Sequence, residues 1–237
     1  VIPFYSPKTK TIEYRYRQAY NSGFILIEGA LTRDTLIPNK NRGYILSNAN
    51  FILQNSYNLG MQLQAVSDPS YLFEYDFAQI DRLNTKLELS RSRRYQSSAI
   101  KFSNYHSLRE NENNATLPTF VAEFAIEGRL KPDSIKGEIG LEANFLKSYR
   151  YSDLGTDGPD SDTLVDGYDT TRVSLLSNWN HGWEAKNGII LDFENEFGLS
   201  QYDVQQHAAI GPKATQVFAA GAVGLRWPWY HINPTGG

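Results

Sequence analysis

Cysteine is absent from the 237-residue sequence, which excludes a disulfide scaffold, a thiolate metal site and a cysteine nucleophile. Long apolar runs are also absent, and no stretch approaches the ~18 uninterrupted apolar residues of a membrane-spanning helix. Basic residues are not in excess, because 23 Lys and Arg stand against 26 Asp and Glu and leave a net charge of −3. Nucleic-acid-binding proteins are normally basic, so this balance argues against nucleic acid as a partner.

Aromatic residues are abundant instead, with 15 Tyr, 12 Phe and 4 Trp. Residues 1–5 have the pattern of a strand interior, with no initiator Met and no signal peptide before them. Residues 233–237 form a turn-like end. We therefore expect the 237 residues to be a segment of a longer protein.

Alternation of apolar and polar residues is the dominant pattern. Over residues 57–65 the odd positions are apolar and the even positions are Asn, Gly or Gln. The pattern recurs in 83–89, 120–126, 139–145 and 189–197, where every charged residue falls on the polar side. This period predicts β-strands that have one face toward water and the other toward an apolar medium.

Turn-forming residues divide the chain into about twelve such segments. The predicted segments are 1–5, 9–20, 23–33, 43–53, 56–67, 81–91, 95–106, 118–129, 134–147, 170–182, 187–203 and 214–230. Short connections, such as 21–23, alternate with long polar ones, such as 68–80. This alternation is typical of an antiparallel meander that has short turns at one end and long loops at the other.

Two architectures could give each strand one apolar face. Twelve strands enclose too wide an interior for side chains to fill, so a soluble protein with this pattern would be a two-sheet sandwich. In an outer-membrane barrel, the apolar face contacts lipid and the polar face lines a watery lumen. Segment lengths near ten residues and aromatic residues toward segment ends favour the membrane barrel. These aromatic residues are Tyr57, Tyr95, Trp179, Trp183, Trp227, Trp229 and Tyr230.

The alternation also predicts which side chains of that barrel meet water and which meet lipid. The predicted lumen-facing polar residues are Glu13, Arg15, Arg17, Lys86, Glu88, Glu123, Glu142, Asp192 and Glu194. The predicted lipid-facing residues are Leu59, Met61, Leu63, Leu87, Leu141, Phe145, Leu191 and Phe193. Because the charges on the lumen side are of mixed sign, they suit water and a polar plug better than a charge-selective pore.

A six-residue run, Val66-Ser67-Asp68-Pro69-Ser70-Tyr71, carries a resemblance to a known family. It resembles a segment of LptD, the lipopolysaccharide-assembly outer-membrane protein family, also called organic solvent tolerance protein. Residues 1–5 and 12–17 resemble that family's second barrel strand and the hairpin after it. Further matching pieces are 115–118, 138–145 and 225–228.

This resemblance implies an all-β fold: an antiparallel meander of about twelve transmembrane strands within a large outer-membrane β-barrel. Residues 1–237 would be a partial barrel domain that lacks the periplasmic N-terminal domain and the closing strands. The implied function is assembly of lipopolysaccharide into the outer leaflet of the bacterial outer membrane, with no enzymatic activity and no cofactor. The implied partners are lipopolysaccharide, the LptE lipoprotein that plugs the lumen, and the periplasmic Lpt bridge components.

The family releases lipopolysaccharide sideways through a weak strand seam, and Pro3 matches a proline of that lateral gate. Proline donates no ladder hydrogen bond, so it is tolerated only at weak edges of a sheet. The alternative interpretation is that Pro3 merely begins a strand.

No catalytic or metal-binding set is expected. The sequence has no Gly-x-Ser-x-Gly elbow. The four histidines have no metal-like spacing; they are His106, His181, His207 and His231.

One basic cluster, Arg91, Arg93 and Arg94, lies at the end of a predicted segment and in the turn after it. These arginines either pair with lipid A phosphates or solvate the turn, and the turn is the favoured interpretation. Two functional alternatives also stay open. One is a complete twelve-stranded outer-membrane barrel that acts as a hydrolase or porin, and the other is a soluble carbohydrate-binding β-sandwich. Hydrogen bonds between the first and last segments would favour the complete barrel.

Overall fold

The structure is a computed structural model, and it describes residues 1–115, 117–150, 169–205 and 213–229. Twelve strands form one sheet. They are β1 (Ile2–Tyr5), β2 (Thr9–Tyr20), β3 (Gly23–Asp34), β4 (Asn41–Ile52), β5 (Tyr57–Val66), β6 (Arg82–Arg93), β7 (Gln96–Ser107), β8 (Pro118–Leu130), β9 (Glu138–Arg150), β10 (Thr170–Glu184), β11 (Ile190–Val204) and β12 (Lys213–Arg226). A 3₁₀ helix (Gln54–Ser56) and a short helix α1 (Tyr71–Glu74) lie between strands. None of the helices in the described ranges has the length and apolarity needed to cross a membrane.

Each strand pairs antiparallel with the next one in the chain, from β1 at one edge to β12 at the other. The predicted all-β meander of twelve strands is therefore confirmed. Observed strand ends differ from the predicted ones by up to four residues. The largest shifts, of four residues, are at the start of β9, which begins at Glu138 instead of 134, and at the end of β12, which ends at Arg226 instead of 230. A turn closed by Ile135 N–H to Pro132 O occupies the residues before β9.

Connections at the two ends of the sheet differ in length. One end carries connections 21–22, 53–56, 94–95, 131–137 and 185–189, and we call it the short-turn end. The opposite end carries 6–8, 35–40, 67–81 and 108–117, and we call it the long-loop end. The connection 67–81 contains the six-residue run from Ser67 onward and is called the Asp68 loop.

The register between strands sorts the side chains onto two faces. Lys86 on β6, for example, is opposite Gln62 on β5 and Ser103 on β7. The face that carries these residues is called the polar face. The next residue, Leu87, is opposite Met61 and Phe102, and it lies on the other face, called the apolar face.

Little of the apolar surface is buried by protein. Among the described residues, the buried apolar side chains are Ala30, Ala49, Tyr71, Leu72, Leu83 and Leu108. Leu72, Leu83 and Leu108 form one small cluster at the long-loop end. By contrast, Leu63 and Leu141 on the apolar face are 43% and 45% exposed. The described residues thus form a single sheet whose apolar face has no second protein layer over it.

Candidate functional site

The polar face gathers charged side chains from non-adjacent parts of the sequence. All nine residues predicted to line a lumen lie on this face, because the register between neighbouring strands places their positions in the same phase. Opposite charges pair across strands, as in Arg15 Nε to Glu28 Oε1 at 2.7 Å and in the ion pair of Lys101 with Glu123. The result is a hydrated surface of mixed sign.

Carboxylates and amides dominate the polar face across β8–β10. A cavity of about 190 Å³ is lined there by Glu127, Glu142, Asn178 and Asn180, among others. Asn144 Nδ2 donates a hydrogen bond of 2.6 Å to Glu142. Carboxylate oxygens accept hydrogen bonds and amides both donate and accept them, so this surface has the groups that sugar hydroxyls bind.

The apolar face presents the opposite chemistry. All eight residues predicted to contact lipid lie on it, since the register aligns their strands in the same phase. A groove of about 500 Å³ lies on this face. The small side chains of Ser47 and Ala49 lie beside the larger Met61, Leu87 and Phe102 in its lining. Apolar groups make up most of the surface of this groove.

Pro3 lies in the edge strand β1, opposite Ile12 of β2. Strand β1 is only four residues long, and its residues are exposed. Because proline has no backbone N–H, β1 has one hydrogen-bond donor fewer than it would have with any other residue at position 3. The pairing of β1 with β2 extends over four residues.

The six-residue run spans the end of β5 and the start of the Asp68 loop. Val66 ends β5 and packs against the Leu72 cluster, and Ser67 Oγ accepts the Gly43 N–H at 2.9 Å. Pro69 and Ser70 form the turn before α1, and Tyr71 begins that helix and is fully buried.

Arg42, the second residue of β4, anchors the loop. Its side chain is fully buried and donates to three carboxylates, one at the end of β3 and two in the Asp68 loop. The contacts are Nη1 to Asp34 at 3.0 Å, Nε and Nη2 to Asp68 at 2.9 and 2.7 Å, and Nη2 to Glu74 at 2.6 Å. The Arg42 guanidinium also lies 5.0 Å from the centre of the Tyr71 ring. One buried cation thus ties the Asp68 loop to two strands.

These contacts change the acidity of the loop's side chains. Hydrogen bonds from Arg42 hold the pKa of Asp68 at about 2, below its ordinary value of 3.8. Burial, followed by the hydrogen bond that Tyr75 donates to Asp34 at 2.6 Å, raises the pKa of the Tyr75 phenol to about 12. Asp68 is therefore ionised and Tyr75 is neutral at any physiological pH.

The Asp68 loop folds onto the polar face of β2–β4. Tyr71 Oη is 2.5 Å from Thr32 Oγ1, which is 2.9 Å from Thr11 Oγ1 on the neighbouring strand. Thr11 and Thr32 lie on the polar face in register with Arg42, and all three are buried beneath the loop. The loop therefore covers the long-loop end of the polar face beside the β1 edge.

Comparison with protein families decides what kind of sheet this is. The family model for LptD, described as LPS transport system D, matches residues 40–231. The chain belongs to the LptD family. This is a family of outer-membrane transport proteins that act in lipopolysaccharide transport. A search of curated proteins found no match.

The LptD match begins just before β4 and includes the Asp68 loop, so Arg42, Asp68 and Glu74 all lie within it. Pro3 and the charged residues of β2 precede the matched region. Sequence reasoning selected Asp68 through the resemblance but missed Arg42, Asp34, Glu74 and Tyr75. The role of Arg42 could have been inferred from its position in the sequence, because it lies at the end of a predicted strand next to an acidic loop.

The histidines do not form a site in the part of the chain that is described. His106 lies at the end of β7, and His181 on β10 stacks against Trp179 with the ring centres 6.0 Å apart. His207, His231 and the predicted interfacial Tyr230 lie outside the described residues. In the described ranges, no group of three or more His, Asp or Glu side chains is placed to hold a metal ion.

Proposed function

We propose that the polar face lines the hydrated lumen of a lipopolysaccharide-assembly barrel and that the apolar face contacts membrane lipid. The observation that carries this proposal is the sorting of the predicted residues: nine polar side chains lie on one face and eight apolar ones on the other. Membership of the LptD family indicates that the transported molecule is lipopolysaccharide. Since binding and partition suffice for transport, no catalytic group is required.

Partition between two media moves the amphiphile. The sugars travel along the polar face, where carboxylates, amides and ion-paired cations replace water. The acyl chains leave through a seam in the barrel wall, because burial of each methylene in lipid releases ~0.8 kcal/mol. We propose that β1, which carries Pro3 and pairs with β2 over four residues, forms one wall of that seam.

Residues 1–237 form a partial barrel domain in this proposal. Among the described strands, β1 and β12 each have one neighbour and do not pair with each other. Unpaired backbone groups cost several kcal/mol in hydrocarbon, so a spanning sheet needs further strands to close it. We further propose that LptE occupies the lumen and that the periplasmic Lpt bridge delivers lipopolysaccharide through an N-terminal domain.

Cysteine labelling of the full-length protein in native outer membranes tests the face assignment. The matched variants are Leu141→Cys and Glu142→Cys, neighbours on β9 that lie on opposite faces, with Leu63→Cys and Glu88→Cys as a second pair. In a background without other reactive thiols, a membrane-impermeant maleimide applied to opened vesicles is expected to label positions 88 and 142 but not 63 and 141. The reverse pattern would overturn the proposal.

Replacement of the edge proline tests the seam. Pro3→Ala restores one backbone donor, worth about 0.5–1.5 kcal/mol when paired, and is expected to slow lipopolysaccharide delivery to the cell surface. Pro118→Ala is the matched control, because Pro118 begins the interior strand β8. Equal delivery rates in the two variants and the parent would mean that Pro3 only begins a strand.

A further inference from the structure

Strand β6 changes from apolar to cationic along the apolar face. Leu87 and Leu89 lie on this face, and Arg91 and Arg93 follow on it toward the short-turn end. Arg91 lies 5.0 Å from the centre of the Tyr57 ring, and Arg94 in the adjoining turn lies 5.1 Å from the Tyr95 ring. Among the described ion pairs, none involves Arg91, Arg93 or Arg94. Three positive charges therefore lie at the end of an apolar stripe, and the residues that the structure describes give them no ionic partner.

Arg91 has an unmet hydrogen-bonding need. Its Nε is buried, and no partner for it exists in the described part of the chain. Its opposite neighbours in the sheet are Tyr57 and Ser98, which carry hydroxyls and no negative charge. A buried donor without a partner is costly, and a guanidinium binds phosphate oxygens through two parallel hydrogen bonds. A phosphate beside Arg91 would pair with the positive charge of its guanidinium.

The groove on the apolar face lies on the same strands as this cluster. Met61, Leu87 and Phe102 line this groove and are opposite one another on β5, β6 and β7. Along β6, Leu87 is separated from Arg91 on the same face by one residue, Leu89. Leu87 and Arg91 are four residues apart on β6, a separation of about 14 Å along a strand. The groove, of about 500 Å³, stops short of the arginines, and the apolar side chains of Leu59, Leu89 and Ile100, opposite one another on β5–β7, lie between them. An acyl chain that runs over these side chains into the groove would have its headgroup at Arg91.

We infer that this surface is a binding site for a phosphate-bearing, acylated lipid of the bilayer. The acyl chain occupies the groove between Ala49 and Phe102, and the phosphate binds Arg91 and Arg93. The inference rests on the proposed function only in that the apolar face meets lipid. It differs from transport through the lumen, since this lipid is bound on the outside of the sheet.

Lipid titration of the delipidated, full-length protein in detergent, read by native mass spectrometry, tests the site. The probe is didecanoyl phosphatidic acid, and didecanoylglycerol supplies the same chains without phosphate. The double variant Arg91→Gln/Arg93→Gln is expected to lose about tenfold or more in affinity for phosphatidic acid, as the loss of charge-assisted hydrogen bonds implies, and to bind didecanoylglycerol unchanged. Arg129→Gln is the matched control, because Arg129 lies near the same end on the polar face.

A second variant tests the acyl-chain half of the site. Ser47→Trp fills the groove and leaves the arginines intact, so it is expected to weaken phosphatidic acid binding several-fold. Inorganic phosphate is expected not to compete at concentrations equal to those of the lipid. Lipid A and phosphatidylglycerol are compared last, because either one binding supports the site and the tighter one identifies its natural source.

Three results would overturn the inference. They are equal phosphatidic acid affinity in the parent and the Arg91→Gln/Arg93→Gln variant, equal losses in that variant and Arg129→Gln, or competition by inorganic phosphate as strong as that by lipid. Should the glutamine variant fail to fold, Arg91→Lys/Arg93→Lys keeps the charge but removes the bidentate geometry, and unchanged affinity there would equally count against the site. The cysteine labelling of Leu141 and Glu142 positions separates these failures from a failure of the proposed function.

Discussion

Arg42 and Asp68 are 26 positions apart in sequence and share two hydrogen bonds, Nε to Oδ2 at 2.9 Å and Nη2 to Oδ1 at 2.7 Å. This bidentate pair gives the central acid of the six-residue run a structural role. It holds the Asp68 loop over the polar face, next to the strand that we propose as the seam wall. The loop is thereby held in place at that end of the polar face.

Removal of the Asp68 charge is expected to release the loop. Asp68→Asn weakens a buried ion pair, and we expect the free energy of unfolding in detergent to fall by about 3 kcal/mol. Asp81→Asn is the matched control, because Asp81 pairs with Arg109 in a solvent-exposed position at the other end of the same loop. Urea unfolding and limited proteolysis measure both. An equal response from the two variants would show that the Asp68 contact does not hold the loop.

Stability is expected to depend on pH through Asp68. Its folded pKa of about 2 lies below the ordinary value of 3.8, so its contribution is complete above the ordinary value and is lost as the pH falls through about 2. The shift corresponds to about 2 kcal/mol. Urea midpoints measured between pH 6 and pH 2 are expected to fall less steeply in Asp68→Asn than in the parent. Parallel curves would contradict the assigned pKa.

Charge placed on the two faces of β9 is expected to have opposite consequences. In the proposed orientation, Leu141→Arg puts a guanidinium into lipid and is expected to cost about 2–4 kcal/mol of stability in a bilayer. In the same orientation, Glu142→Arg places the guanidinium in the lumen, where water solvates it, and is expected to cost much less. Refolding into lipid vesicles over a urea series measures the difference. Equal costs would argue against the proposed orientation of the sheet.

Two glycines provide a test of close packing between strands. A Cβ on Gly29 would lie 2.5 Å from the carbonyl oxygen of Tyr44 and would also collide with the Tyr14 ring. We therefore expect Gly29→Ala to destabilise the protein by about 1–3 kcal/mol. Gly60→Ala is the control, because nothing lies within 4 Å of its added Cβ. Thermal unfolding of both variants in detergent measures this, and an unchanged Gly29→Ala midpoint would show that the strands can separate at that point.

Most of the fold was predictable because period-2 alternation and turn residues are local signals. Twelve segments were expected and twelve strands are observed, with ends shifted by up to four residues. Helix α1 was not predicted, because four residues are too few to display a helical period. The Asp68 run was recognised only as a resemblance, and its contacts were not foreseen.

The amino-acid sequence by itself determined the strands, their two-sided character and the family, since each depends on neighbouring residues along one chain. Only the tertiary structure decided which side chains from different strands share a face, because that depends on the register between strands. It also decided the Arg42 cluster and placed Arg91 on the same face as an apolar groove. Those contacts join residues far apart in the sequence, and a local pattern carries no information about which distant partners meet.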